Sequence, residues 1–147
     1  MGSGWTGRGK VRFARANGGW VVRLDGLTTQ AGRIKAPIRD FFRKEARGLR
    51  KDYSGLYAVT IWIESAGWTD DGVALRRYDV DNVAKASLDA LTGIIWRDDS
   101  QVLRLAVEKL PGERDAVTIH ASPIDGPDTS ASAAARLQAL LAEVDGD

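Results

Sequence analysis

Two pairs of aspartates, separated by one helix's length of chain, constrain this sequence more than any other feature. In the stretch 78–102, YDVDNVAKASLDALTGIIWRDDSQV, Asp79 and Asp81 stand in an Asp-x-Asp spacing, and Asp98 and Asp99 are adjacent. Side chains two apart share a face of an extended backbone, so the spacing predicts that Asp79 and Asp81 converge. Asn82 to Thr92 reads as a helix, with Asp81 at its N-cap, Val83, Ala84, Leu88 and Leu91 at helical apolar spacing, and Gly93 as its stop. Lys85 falls one turn beyond Asp81, on the same face. The apolar run Ile94-Ile95-Trp96 then carries the chain back across the core and returns Asp98 and Asp99 towards the first pair. Carboxylates gathered in this way repel one another unless a cation sits among them. Mg²⁺ suits such a site, because it is hard, takes oxygen ligands and keeps several waters when few carboxylates hold it. Singly, each motif has a plainer reading, as a helix cap or a turn.

In order, Asp79-Val80-Asp81-Asn82, Lys85, Leu88-Asp89-Ala90-Leu91, Trp96, Asp98-Asp99 and Gln101-Val102 resemble the signature of the RusA family of Holliday junction resolvases. That signature is an Asp-x-Asp-Asn-x-x-Lys helix followed by an Asp-Asp-x-Gln-Val strand entry. The resemblance implies a small mixed α/β homodimer that cuts four-way DNA junctions with Mg²⁺, with Mn²⁺ as a substitute. By position it assigns Asp79, Asp81 and Asp99 as metal-binding catalytic carboxylates and Lys85 as a catalytic lysine; Asp98 matches the first Asp of the family's pair, and its place beside Asp99 makes it an expected additional metal ligand. The Pro-Asn-rich entry segment of that family is missing, and a C-terminal linker and helix extend beyond its compact domain. The fold expectation is α+β: a small mixed sheet with two main helices packed on it, plus a C-terminal helix.

At 147 residues the chain has room for one domain with a core of its own. Cysteine is absent, which excludes disulfides and thiolate metal sites, and the single histidine, His120, excludes a multi-histidine zinc site within one chain. No signal peptide or membrane-length apolar run is read, so the expectation is a soluble protein of the bacterial cytoplasm, encoded by host or phage. The net charge of +1 conceals an asymmetry. Through Gly55 there are 13 Lys and Arg against 4 Asp and Glu; the remainder has 8 against 16. A basic half beside an acidic cluster is what a metal-dependent nuclease needs, since it must attract phosphates while it holds cations.

Along the chain, residues 1–10 read as a flexible glycine-rich leader and 11–122 as the nuclease domain. Within it, Val11 to Arg15 and Trp20 to Leu24 flank Asn17-Gly18 as a hairpin. Ala36-Pro37 opens a helix to about Arg50, whose apolar face is Ile38, Phe41, Phe42, Ala46 and Leu49. Arg39, Arg43, Lys44 and Arg47 crowd its other faces; like charges at that spacing repel, which points to phosphate contact. Arg76 and Arg77, just before the first aspartates, are read as phosphate clamps. Tyr57 to Glu64 is the clearest strand, apolar on both faces and therefore central. Gln101 to Leu110 reads as a half-buried strand, and Ala116 to Ala121 as its partner after a turn at Pro111-Gly112-Glu113. His120 reads as structural. Residues 123–130 read as a linker and 131–147 as a C-terminal helix with a stripe of Leu137, Leu140, Leu141 and Val144, packed on its own domain or on a second subunit.

The chemistry these residues support is hydrolysis of paired phosphodiesters in branched DNA, in recombination and repair. A DxD glycosyltransferase would leave the basic helix unexplained. A branched-DNA-binding protein that does not cleave is the alternative, with the acids acting only as caps.

Overall fold

The structure, a computed structural model, describes residues 4–16, 18–26, 34–45, 55–66, 79–124 and 127–146. The elements follow in the order β1 (Val11–Ala16), β2 (Gly19–Asp25), α1 (Lys35–Glu45), β3 (Leu56–Ser65), α2 (Val80–Leu91), β4 (Val102–Pro111), β5 (Ala116–Ile124) and α3 (Pro127–Asp145), with a short 3-10 turn, Asp99–Gln101, ahead of β4. One five-stranded sheet runs in the order β1-β2-β5-β3-β4. It is antiparallel except between β3 and β4. The α+β class and the mixed sheet follow the sequence reading.

Each strand is set by its alternation of side chains. Along β3, Tyr57, Val59, Ile61 and Ile63 face one side and are no more than 2% exposed. Burial of each such side chain contributes roughly 1.5–3 kcal/mol. The side chains of Val22, Leu24, Val117, Ile119 and Ala121 extend this surface across the neighbouring strands, and Ile38, Phe41 and Phe42 of α1 with Val83, Ala84, Ala90 and Leu91 of α2 close over it. Both helices therefore lie on one face. The opposite face, with Arg23, Thr60, Trp62, Thr118 and His120, is only half-buried.

The expected hairpin forms as β1 and β2, with Gly18 at φ +74° in its turn. A left-handed residue is what a tight two-strand connection requires, and glycine adopts it without steric cost. Of the leader, Thr6 exchanges both backbone hydrogen bonds with Phe13, at 2.7 and 2.9 Å. His120 bonds the carbonyl of Ala16 at 3.1 Å, a structural role as expected.

The last two strands do not pair with each other. β5 lies between β2 and β3, so the chain leaving β4 steps over the end of β3 before it re-enters the sheet. The Gly112 amide donates to the Ser65 carbonyl at 3.1 Å, and Ala66 donates to the Asp115 carboxylate at 2.8 Å. Alternation along the two segments predicted their strand character, but the partner of each is set by what the sheet leaves unpaired. The segment expected as a linker is also shorter, because β5 continues to Ile124 and α3 begins at Pro127, a residue suited to a helix start.

Ser87 of α2 is fully buried, and its hydroxyl has no hydrogen-bond partner among the described residues. An unsatisfied buried hydroxyl costs about 1–3 kcal/mol. Ser87→Ala should therefore raise the unfolding free energy by roughly 1 kcal/mol, read as a higher denaturant midpoint at unchanged slope; a lower midpoint would show that the hydroxyl has a partner.

Candidate active site

Asp79, and not Asp81, is the N-cap of α2; it is extended at φ −81° and ψ 127°, while Asp81 lies within the first turn. The helix begins two residues earlier than the apolar spacing indicated, because the core-facing positions Val83 and Ala84 leave the residues before them free to join it. The two carboxylates thus do not meet as alternate residues of a strand. They flank Asn82: Asp79 Oδ2 accepts from Asn82 Nδ2 at 3.2 Å, and Asp81 Oδ1 accepts from the Asn82 amide at 2.9 Å. Neither caps a backbone donor deeper in the helix. Both are exposed and keep lone pairs for another partner. Their negative charge sits at the positive end of the helix dipole, a favourable placement for an acidic side chain.

Lys85 is exposed one turn along from Asp81 and makes no ion pair among the described residues. The plainer role, a structural bridge to Asp81, is thus not formed.

The second pair is held at the other end of α2. Gly93, at φ +86°, ends the helix as predicted. Its amide donates to the Trp96 carbonyl at 2.6 Å, and the buried Trp96 indole donates to Thr92 Oγ1 at 3.0 Å. Asp98 then caps the 3-10 turn, its carboxylate accepting from the Ser100 amide at 3.1 Å. Gln101 completes a reciprocal capping box: its Oε1 accepts from the amides of Arg97 and Asp98, each at 2.9 Å. Its Nε2 donates to the Gly55 carbonyl at 2.6 Å, which ties the acidic turn to the start of β3. Asp98 and Asp99 are both exposed.

The two pairs are therefore apart within one chain. α2 has 12 residues, which at ~1.5 Å per residue span about 18 Å. The two residues from Trp96 to Asp98 recover at most ~7 Å of that. Two oxygens on one Mg²⁺ lie within ~4.2 Å of each other. Among the described residues no three His, Asp or Glu side chains are grouped closely enough to hold an ion. The expected gathering of Asp79, Asp81, Asp98 and Asp99 inside a single subunit is not formed. The return run Ile94 to Trp96 packs beneath the helix's end instead of carrying the chain along its length. Each pair alone offers two hard carboxylates, a donor set that fits Mg²⁺ completed by waters and phosphate oxygens.

The basic face of α1 divides. Arg39 donates to the carbonyls of Asp89 and Thr92, at 2.9 and 3.0 Å, and so caps the C-terminal end of α2, which has no basic residue in its own last turn. Arg43 and Lys44 both pair with Asp40, Lys44 at 3.3 Å, and stay largely exposed. Exposed pairs of this kind contribute ~0–1 kcal/mol and exchange readily for phosphate. Arg47, Arg76 and Arg77 lie outside the described residues.

A family model for endodeoxyribonuclease RusA matches residues 28–121, well over half of the chain. The chain belongs to the RusA family. No curated protein sequence matches it. Among solved structures it is similar to the periplasmic domain of Helicobacter pylori MotB at 9% identity and TM-score 0.43, over 90% of this chain and 88% of that one. It is also similar to a chorismatase at 18% identity and TM-score 0.42, over 84% of this chain and 35% of that one. Likeness at that level carries no argument about function. RusA membership does: it makes the chain a nuclease of the Holliday junction class, with branched DNA as the ligand that the family implies, and RusA resolvases are in general metal-dependent. Both acidic pairs, Lys85 and α1 lie inside the matched region, and α3 lies outside it.

The sequence reading named Gln101 only as part of the signature and Arg39 only as a phosphate contact, and it missed the positioning role of each. Gln101 was legible, since Asp98-x-x-Gln101 has the spacing of a capping box. Arg39 was not, because nothing in the sequence brings α1 to the end of α2. Arg39→Ala should cost about 1 kcal/mol of stability through the lost cap, whereas Arg43→Ala should leave stability within ~0.5 kcal/mol. Chemical denaturation of both variants checks this, and equal effects would remove the distinction.

Proposed function

We propose that this protein is a Mg²⁺-dependent endodeoxyribonuclease that resolves four-way junctions in recombination and repair, acting as a homodimer on bacterial or phage DNA in the cytoplasm. The match of residues 28–121 to endodeoxyribonuclease RusA carries this reading. The exposed carboxylates at both ends of α2 and Lys85, which makes no ion pair among the described residues, support it.

The separation of the acidic pairs adds a feature to the reading. A junction presents two equivalent strands, so a twofold dimer with two equivalent sites suits it. In our reading the twofold sets α2 antiparallel to its mate, and Asp79 and Asp81 of one subunit face Asp98 and Asp99 of the other. Each site is then built from both chains, with Asp79, Asp81 and Asp99 as ligands and Asp98 as a fourth donor.

When bound, Mg²⁺ or Mn²⁺ supplies charge neutralisation at the phosphate and a coordinated water of lowered pKa. The chain's own residues do the rest. The four carboxylates hold the ion, and Asn82 keeps Asp79 and Asp81 oriented through its amide and side chain. Gln101 fixes the acidic turn against Gly55. The Lys85 ammonium stabilises the charge that builds on the phosphoryl oxygens. Arg43 and Lys44, with Arg47, Arg76 and Arg77, hold the backbone of the arms, so recognition rests on junction shape and phosphate position.

One observation favours the alternative of a junction binder that does not cut: among the described residues the acids do not cluster in one chain. A labelled four-way junction separates the two readings. Symmetric nicks that require Mg²⁺ and vanish with EDTA are expected; retention in a gel without nicks would establish the binder. Asp81→Asn should abolish nicking while junction binding persists. Mixing Asp81→Asn with Asp99→Asn, each inactive alone, should restore part of the nicking, because one site of the mixed dimer then carries neither substitution. Mixing without recovery would mean that each site draws its acids from one chain.

A further inference from the structure

The C-terminal helix carries an apolar stripe that is exposed among the described residues. Leu137, Leu140, Leu141 and Val144 are 56%, 57%, 49% and 75% exposed. Every residue from 132 to 146 is exposed as well. A helix of 19 residues gains little from propensity alone, and helices in proteins are stabilised mainly by packing an amphipathic face. α3 therefore wants a partner for this stripe, and its charges say which.

In heptad notation Leu137 and Val144 occupy successive a positions, Ala133 and Leu140 successive d positions, and Leu141 an e position. Arg136 and Glu143 then occupy successive g positions. Neither has an oppositely charged residue three or four places along its own helix, and neither makes an ion pair among the described residues. When two such helices pair antiparallel, each a residue faces a d residue of the mate and g faces g. Leu137 then meets the mate's Leu140, Val144 meets Ala133, and Arg136 meets Glu143 twice by symmetry. A parallel pair in register sets Arg136 against Leu141 and leaves both charges unmatched. Ala133 and Ala134, at d and e positions, leave no bulk to hold the helices apart.

We propose that α3 is a self-association helix, which pairs antiparallel with α3 of a second copy through the Leu137–Val144 stripe and the reciprocal Arg136–Glu143 pairs. α3 falls outside the residues matched to RusA, so this association is additional to the nuclease reading and does not depend on it.

The absence of cysteine makes the test clean. Full-length Arg136→Cys and Glu143→Cys chains are prepared separately, mixed, oxidised and run on a non-reducing gel. Residues seven apart on one helix stand ~10.5 Å apart along its axis, too far for a disulfide within a chain. The expected result is a covalent dimer in the mixture and little in either variant alone. A dimer from one variant alone, as strong as from the mixture, would overturn the antiparallel register. No dimer in any sample would mean that the stripe is covered by the chain's own sheet or by another protein, and would overturn self-association. In sedimentation, Arg136→Glu should weaken association several-fold, and Arg136→Glu with Glu143→Arg should restore it; a double variant no better than the single would also sink the register. Junction nicking should be unchanged throughout, which separates failure here from failure of the nuclease reading.

Discussion

The parallel pairing of β3 and β4 is the constraint on which the rest depends. Two parallel neighbours cannot be joined by a tight turn, so the chain between them must cross back over the sheet, and α2 makes that crossing. A crossing helix starts near the end of the first strand and finishes near the beginning of the second. Asp79 and Asp81 are accordingly fixed at one end of α2, and Asp98 and Asp99 at the other. The acidic residues are near in sequence and share one motif, yet the same crossover that orders them holds them at opposite ends of α2.

What keeps that crossover in place is apolar. Val83, Ala84, Ala90 and Leu91 seat α2 in the common core, and Ile95 and Trp96, both fully buried, anchor the turn that follows. Polar contacts then refine the placement of its ends. Arg39 reaches from α1 to the last carbonyls of α2, and Gln101 reaches from the acidic turn to Gly55. The acids themselves contribute little to this scaffold and remain exposed. The buried anchors and the exposed acids are different residues of the same segment, so substitutions can address them separately.

An ionic cluster lies across β1, β2 and β3 and bears on how the basic half of the chain is used. Arg23 bonds Glu64 at 2.6 Å and Asp25 at 3.2 Å, and Arg12 bonds Asp25 at 3.2 Å. Burial by itself would lower the Arg23 pKa, but the hydrogen bonds and charges of Glu64 and Asp25 outweigh it and raise it. This arginine is committed to the fold, as Arg39 is. The excess positive charge of the first 55 residues is therefore partly committed to the fold; among the described residues of α1, Lys35, Arg43 and Lys44 are the exposed basic side chains besides Arg39.

The sequence by itself determined the local features. Alternation marked β3, the Asn-Gly pair marked the hairpin, Gly93 marked the end of α2, and the ordered acids with Lys85 marked the RusA family. These are legible because each depends on residues a few positions apart, through backbone preference or side-chain periodicity. Only the tertiary structure decided which strand lies beside which, that the acidic pairs stand apart within one chain, that Arg39 serves α2, and that the stripe of α3 is exposed among the described residues. Those outcomes rest on competition among distant segments for the same buried surface and the same unpaired strand edges, and no local pattern records which segment wins.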